Sequence, residues 1–302
     1  MSMMDERISP MLASQGGTPF DDPGWIYEIK WDGSRTIAFL SGDVRLQDRR
    51  LNNITGHFPE LMYINRCLKV KEAVLDGELV VMRDNKPHFR SIMARKNRED
   101  TFKIKLLSKS MPAMFITWDI LYADGRSLID LPLMERKEIL TSAVQPGGGL
   151  AISDFIPGQG KMLFEETGKR GLEGVMAKKA DSKYYVGKRS SLWLKLKHLI
   201  AIDAVIMGYR VDKTALVVGL YDEGDKLITI GSVESGMSHE ELAAFMQAAG
   251  DIKQEKKDNI QWLEPALVCR VRFMEWSENM KMRAPVFEGF KYDVRPGQCR
   301  FP

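Results

Sequence analysis

The segment from Trp25 to Arg35 constrains the fold more than any other part of the sequence. In Trp25-Ile-Tyr-Glu-Ile-Lys30, apolar side chains recur at every second position, which is typical of a half-buried strand with one apolar face. Asp32-Gly33 then predicts a turn, and a returning strand follows it. The sequence therefore predicts a hairpin that places Lys30 at a strand end, on the same face as Glu28.

The same patterns divide the 302-residue chain into two domains of different character. In residues 1–198 we predict strands over 44–47, 73–82, 113–121, 174–177 and 192–197, and helices over 133–144 and 161–169. In residues 199–302 we predict short strands over 202–210, 215–221, 226–233 and 267–276, and one helix over 238–249. The predicted fold class is α+β, with antiparallel sheets flanked by helices followed by a small OB-fold β-barrel.

Charge and cysteine content exclude several classes of protein. Lys and Arg exceed Asp and Glu by 44 − 41 = 3, so the chain as a whole is not a strongly basic nucleic-acid binder. Residues 1–198 carry a net charge of +6 and the remainder −3, and basic stretches cover 90–105 and 178–197. Only Cys67, Cys269 and Cys299 are present, far apart, which excludes a four-cysteine zinc module and a disulfide scaffold. Residues 1–20 lack a secretory pattern, and we expect a soluble intracellular protein.

Lys30 is a candidate nucleophile. A lysine reacts only as the free amine, and nearby cations such as Lys195 and Lys197 favour that form. If this hairpin is considered alone, the alternative is that Lys30 and its neighbours are solvated charges at an ordinary turn. The two later lysines can likewise grip phosphate or form one solvated strand face.

Other polar or aromatic residues on strands can be interpreted either as ligand-binding residues or as ordinary structural residues. Asp76-Gly-Glu78 and Glu173-Gly174 pair carboxylates with glycines that permit close ligand approach, and such carboxylates hold Mg²⁺ with its waters. Taken singly, each of these carboxylates is more often a charge at a strand end. Trp118 can stack on a base or fill the core. The chain has no P-loop and no GxGxxG, so any nucleotide is bound through side chains.

Five segments in order resemble the covalent nucleotidyl-transferase superfamily, which includes ATP-dependent DNA ligases, RNA ligases and mRNA capping enzymes. The matching segments are Lys30-Trp-Asp-Gly-Ser-Arg35, Leu75-Asp-Gly-Glu78, Thr117-Trp-Asp-Ile-Leu-Tyr-Ala-Asp-Gly125, Leu172-Glu-Gly-Val-Met-Ala-Lys178 and Leu192-Trp-Leu-Lys-Leu-Lys197. The sequence is most similar to the ligase module of bacterial end-joining DNA ligases.

The resemblance implies a role for each matching residue. Lys30 would attack the α-phosphate of ATP and become adenylated. The remaining implied roles are adenine recognition by Glu28 and the Ile29 backbone, stacking by Trp118, ribose or phosphate contacts by Arg35 and Glu78, phosphate binding by Arg49, Lys195 and Lys197, metal binding by Glu78 and Glu173, and pyrophosphate orientation by a C-terminal motif with Arg283, Lys291 and Asp293.

The resemblance also implies the reaction and its partners. It implies an ATP-dependent DNA ligase that seals nicks between a 5′-phosphate and a 3′-hydroxyl through lysyl-AMP and an adenylated DNA end. ATP and Mg²⁺ or Mn²⁺ would be the cofactors, and nicked duplex DNA the substrate. A monomer in the cytoplasm, associated with the nucleoid and with an end-binding Ku-like partner, is the expected context.

Two positions depart from the family pattern. Asp48 stands where a serine usually precedes the phosphate-binding arginine, and an acid there would repel a DNA phosphate unless Arg50 compensates. Val294 stands where the last motif usually has a lysine. The alternatives are an RNA ligase or capping enzyme, and a nucleic-acid-binding module whose active site has decayed. An NAD-dependent ligase is disfavoured because zinc-finger cysteines are missing.

Overall fold

The computed structural model describes residues 3–274, 276–277 and 279–301. The chain divides between Lys197 and His198 into two compact units. Both units consist mainly of antiparallel sheet, and four of the five α-helices in the described residues are in the first. The predicted α+β architecture is confirmed.

The first unit holds two sheets. Its strands are β1 Leu12–Gln15, β2 Trp25–Ile29, β3 Ser34–Leu40, β4 Val44–Asp48, β5 Ala73–Arg83, β6 Lys86–Pro87, β7 Ala113–Ala123, β8 Arg126–Ser127, β9 Leu150–Ile152, β10 Phe155–Pro157, β11 Gly174–Lys179 and β12 Arg189–Lys197. Its helices are α1 Phe89–Lys96, α2 Thr101–Ser110, α3 Leu133–Ala143 and α4 Gly160–Lys169, with short 3-10 helices at Met3–Asp5, Thr55–His57, Pro59–Leu61 and Ile64–Cys67.

The strand order brings the sequence motifs together. One sheet has the order β1-β12-β11-β2-β10, and the other has the order β4-β3-β5-β7-β8, with β6 added to β5 and β9 added to β7. A buried cluster joins the two sheets, with Ile26 and Trp193 from the first sheet and Phe39 and Trp118 from the second. The hairpin therefore contributes to both sheets, because β2 belongs to one and β3 to the other.

The second unit is one antiparallel sheet with a helix packed on it. Its elements are β13 Ile200–Arg210, β14 Leu216–Tyr221, β15 Leu227–Val233, α5 His239–Gly250, β16 Lys253–Lys257, β17 Ile260–Leu263, β18 Val268–Phe273, β19 Val286–Phe290 and a 3-10 helix at Pro296–Gln298. The long β13 pairs with β14, β17 and β18. Ser238 and Glu241 close a capping box at the start of α5, as the sequence predicts.

Three local expectations need correction. Strand β2 is buried on both faces, because Glu28 is covered by two lysines instead of meeting solvent. The basic stretch 90–105 forms most of α1 and part of α2, which the sequence analysis did not predict as helices. The strand predicted over 267–276 ends at Phe273 in the structure. The predicted range also includes Glu275, which lies outside the described residues.

Within the described part of the chain, the helices are too short or too polar to span a bilayer.

Candidate active site

Lys30 lies immediately after β2. Its backbone N–H donates to the carbonyl oxygen of Gly174 at 3.0 Å, which extends the pairing of β2 with β11 by one residue. The following turn requires Gly33, because a Cβ atom there would lie 2.2 Å from the carbonyl oxygen of Leu79 in β5. The turn thus lies directly against β5, and this contact fixes where Lys30 leaves the sheet.

Glu173 lies between two lysines. Its Oε2 atom is 2.5 Å from Lys30 Nζ, and its Oε1 atom is 2.5 Å from Lys197 Nζ. Burial would raise the pKa of the Glu173 carboxyl, but the charges and hydrogen bonds of the two lysines outweigh burial and lower this pKa. Glu173 is therefore an ionised carboxylate that forms ion pairs with both lysines.

Arg35, in β3, is held by Asp76 of β5. Its Nε and Nη2 atoms donate to the two carboxylate oxygens at 2.5 and 2.6 Å, and Nη2 also donates to the Met11 carbonyl oxygen. The Tyr184 hydroxyl donates to the same carboxylate at 2.8 Å. The guanidinium carbon lies 4.6 Å from the centroid of the Trp118 ring, so Arg35 stacks on this indole.

Glu78 lies opposite Arg35 in the register between β3 and β5. Burial raises the pKa of its carboxyl to about 8, although the charges of Arg35 and Lys30 oppose this shift. Glu78 therefore carries a proton at neutral pH in this environment, and an additional cation would favour its ionisation.

Glu28 is enclosed by Lys137 of α3 and Lys178 of β11. The two lysine nitrogens lie 2.5 and 2.8 Å from its two carboxylate oxygens. Burial opposes ionisation of Glu28, but the two lysines outweigh burial and lower its pKa. Burial also lowers the pKa of Lys178 to about 8, against the pull of Glu28. The lysine nitrogen of Lys178 lies 5.0 Å from the Trp118 ring centroid.

One pocket collects six of the thirteen predicted site residues. It is lined by Glu28, Ile29, Lys30, Trp31, Arg35, Glu78, Trp118, Met176, Lys178 and Trp193. Sequence reasoning missed the roles of Met176 and Lys178 here. The signal for them was present, since positions 174, 176 and 178 share one face of a strand. The sequence does not indicate the contact of Lys137 with Glu28, because only the packing of α3 brings the two residues together.

The remaining predicted phosphate ligands form a cationic cluster next to Lys30. The pKa of Lys195 is lowered, first by burial and then by the positive charges of Lys197, Arg189, Lys30 and Arg49. Mutually repelling cations at one place form a site that an anion would stabilise.

Asp48 is neutralised within the protein. Its carboxylate lies 2.8 Å from Lys96 Nζ and accepts backbone hydrogen bonds from Arg50 and Asn52, both at 2.9 Å. The cation that pairs with Asp48 is therefore Lys96 of α1, which the sequence analysis did not consider. Arg50 contributes its backbone N–H to the turn.

The C-terminal motif lies in the second unit. Lys291 and Asp293 form an ion pair at 3.1 Å, and the Arg283 carbonyl oxygen accepts from the Met274 N–H. Val294 packs against the core of this unit, which explains an apolar side chain at that position.

Two family matches cover most of the chain. Residues 10–197 match the family described as "ATP dependent DNA ligase domain", and residues 210–294 match the "ATP dependent DNA ligase C terminal region". DNA ligase C1 of Mycolicibacterium smegmatis is 32% identical, with 97% of this chain and 92% of that protein aligned.

Other relatives are longer. The "Multifunctional non-homologous end joining DNA repair protein LigD" of Mycobacterium tuberculosis strain H37Rv is 29% identical over 97% of this chain. The chain spans only 40% of the length of that LigD protein. A structure described as "mycobacterial DNA ligase D complexed with ATP and MES" is 28% identical, with a TM-score of 0.58 and 99% of both chains covered. These matches agree with the pocket geometry, and the chain belongs to the ATP-dependent DNA ligase family.

Proposed function

We propose that this chain seals nicks between a 5′-phosphate and a 3′-hydroxyl in duplex DNA, with ATP as the adenylyl donor. The observation that carries the proposal is the pocket in which Lys30, Glu28, Arg35, Glu78 and Trp118 meet. Residues 1–198 would be the adenylation domain and 199–302 the OB-fold domain. The compact units and the two family matches support this division.

In the first step Lys30 Nζ would attack the α-phosphorus of ATP. The new nitrogen–phosphorus bond would form as the bond to pyrophosphate breaks, and the amine would give up its proton. Lys30 must first leave its ion pair with Glu173 and release a proton to solvent, since an ammonium has no lone pair to donate. The negative charge of the triphosphate would compete with Glu173 for Lys30 and thereby loosen that pair.

Glu78 and Glu173 are the carboxylates that would hold a divalent cation. In the described part of the chain, no three acidic, His or Cys side chains group as a metal site. Mg²⁺ commonly needs only one or two carboxylates together with substrate phosphates, so these two residues fit Mg²⁺ or Mn²⁺ jointly with ATP. The cation would neutralise phosphate charge, and its arrival would favour ionised Glu78.

The base would lie against Trp118. Trp118 and Met176 line the same pocket, and Glu28 with the Ile29 backbone lies at its inner edge. The Glu28 carboxylate can accept from an exocyclic amino group, and Lys178 can donate to a neighbouring ring nitrogen. Arg35 must shift from the indole face or share it when a base stacks there. Arg35 and Glu78 would then contact the ribose.

The later steps would use the cationic cluster. Lys195 and Lys197 would bind the α-phosphate, Arg49 would bind the 5′-phosphate of the nick, and the 3′-hydroxyl would displace AMP. Arg283, Lys291 and Asp293 would orient pyrophosphate in the first step. The end-joining names of the LigD relatives support a Ku-like end-binding partner as part of this proposal.

The test is adenylation with ATP labelled at the α-phosphate. We expect label that survives denaturation on the wild type and on Lys109→Ala, a control on the exposed face of α2, and none on Lys30→Ala. Label retained by Lys30→Ala would remove the proposal. Competition by GTP would favour a capping enzyme, and faster sealing of nicked RNA than of nicked DNA would favour an RNA ligase.

A further inference from the structure

The turn from Asp48 to Asn52 carries Arg49 and is organised by one side chain. The Asp48 carboxylate, which is 2% exposed, accepts from the N–H groups of Arg50 and Asn52. The backbone closes the same turn, with Asp48 N–H donating to the Asn52 carbonyl at 3.0 Å. Leu51 has φ +68°, a conformation that costs free energy in a residue with a Cβ atom. A strained turn persists only where its surroundings hold it.

Lys96 is the surrounding group that holds it. Its Nζ atom lies 2.8 Å from Asp48 Oδ2 and 3.4 Å from the Ser34 hydroxyl oxygen. Lys96 thus connects α1 to the end of β4 and to the start of β3. Burial opposes ionisation of Asp48, but hydrogen bonds from Lys96 and Asn52 outweigh burial and lower its pKa. The pair is therefore a formed ion pair with no net charge.

Arg49 needs such support because it faces other cations. Its charge contributes to the lowered pKa of Lys195, together with Lys197, Arg189 and Lys30. An exposed arginine on a flexible turn would swing away from this group in the absence of an anion. A turn held in one conformation keeps the guanidinium near the cluster and reduces the ordering cost when a phosphate binds.

We propose that Asp48 and Lys96 form a clamp that positions Arg49 for the 5′-phosphate of a DNA nick. Both are positioning residues, and the inference rests on the nick-sealing function proposed above. The family resemblance predicts serine at position 48, which could cap the turn without a charge. In this chain the acid gives a stronger anchor, and Lys96 cancels the negative charge that would otherwise repel the phosphate.

The test compares Lys96→Met, Asp48→Ser, the double variant and Lys96→Arg, each first adenylated. Binding is measured to nicks that carry either a 5′-phosphate or a 5′-hydroxyl. Lys96→Met leaves a buried carboxylate beside the phosphate site, so we expect its preference for the phosphorylated nick to fall about tenfold. Lys96→Arg and the double variant should recover most of that preference.

The ratio of the two affinities separates this role from simple support of the fold. Structural damage would weaken binding to both nicks and leave their ratio unchanged, and that result in Lys96→Met would overturn the proposal. Lack of recovery in the double variant would also overturn it. If Lys96→Met does not fold, the double variant and Asp48→Ala decide, since neither leaves a buried carboxylate. The serine of the double variant can still cap the turn and alanine cannot, so an unchanged ratio in Asp48→Ala would count against the clamp. Failure of the proposed nick-sealing function is detected separately, in the adenylation assay, as labelled AMP that Lys30→Ala retains.

Discussion

Individual side chains in the pocket carry charges that are balanced by partners distant in sequence. Glu28 is the deepest of these, with Lys137 and Lys178 on its two oxygens. Removing one member of a buried ion group leaves the others without compensation, which costs more than the intact group contributes. The stability of the first unit should therefore depend strongly on Glu28.

Glu28→Gln should lower the free energy of unfolding at pH 7 by about 3–5 kcal/mol, because two buried lysines lose their counter-charge. The pKa of Glu28 in the folded protein lies below its ordinary value of 4.5. Its stabilisation is thus fully present above about pH 4.5 and is lost as the pH falls through the folded pKa. Urea unfolding at pH 7 and at pH 4 measures both effects.

Glu138→Gln is the matched control, since Glu138 is the exposed neighbour of Lys137 in α3. Its unfolding free energy should change by less than about 0.5 kcal/mol. A Glu28→Gln protein as stable as the wild type at pH 7 would contradict the assignment.

At the scale of elements, the pairing of β11 with β12 brings Glu173 next to Lys197. Gly174 pairs with Lys197 and has φ +147°. A Cβ atom there would lie 2.1 Å from the Leu196 carbonyl oxygen. Only glycine lets the two strands approach this closely at the point where Glu173 turns towards the lysines.

Gly174→Ala should destabilise the protein by about 1–3 kcal/mol through backbone strain and the contact with β12. It should also slow the proposed formation of lysyl-AMP, because it displaces Glu173, one of the two carboxylates proposed to hold the divalent cation. Denaturant unfolding and single-turnover labelling are the measurements. Gly42→Ala is the control, since a Cβ atom at Gly42 meets open space; equal behaviour of the two variants would argue against a special role for Gly174.

Elements with regular alternation were predictable from the sequence, and the helices of the basic stretch were not. Strand β5 has two apolar runs around Asp76-Gly-Glu78, and helix α5 has an apolar period after its capping box, so both are recognisable without the structure. Helices α1 and α2 are short and rich in Lys and Arg, so too few apolar residues remain to make a helical periodicity recognisable in the sequence. The N-cap of α2 was a usable sign, since Asp100 accepts from the N–H groups of Phe102 and Lys103.

The site was predictable in its members but only partly in its contacts. The ordered motifs predict a common site for Lys30, Arg35, Glu78 and Trp118, and the structure brings these residues to one pocket. Which acid faces which base depends on tertiary packing. The pairing of Asp48 with Lys96 is such a case, because it joins a strand end to a helix that the sequence did not reveal.

For the whole molecule, positive charge is concentrated in residues 1–198, with +6 against −3 in the rest. Non-specific contacts to the DNA backbone should come mainly from that part. Nick affinity should therefore fall by at least about a hundredfold between about 50 and 200 mM salt if four or more phosphates are neutralised. Fluorescence anisotropy with a labelled nick measures the dependence.

Lys188→Ala, in the basic stretch 178–197, should reduce the slope of log K against log salt by about one. A nearly flat dependence in the wild type would show that these residues do not neutralise DNA phosphates.

The carboxylate of Glu173 has a consequence beyond the adenylation step. Lysine amines in a cell are exposed to cyanate, acyl phosphates and other electrophiles. An amine that has been modified by one of these reagents can no longer act as a nucleophile. Glu173 Oε2 lies 2.5 Å from Lys30 Nζ and shields this nitrogen from such reagents. In the reaction proposed above, the contact that each turnover must break would thus also preserve the amine for later turnovers.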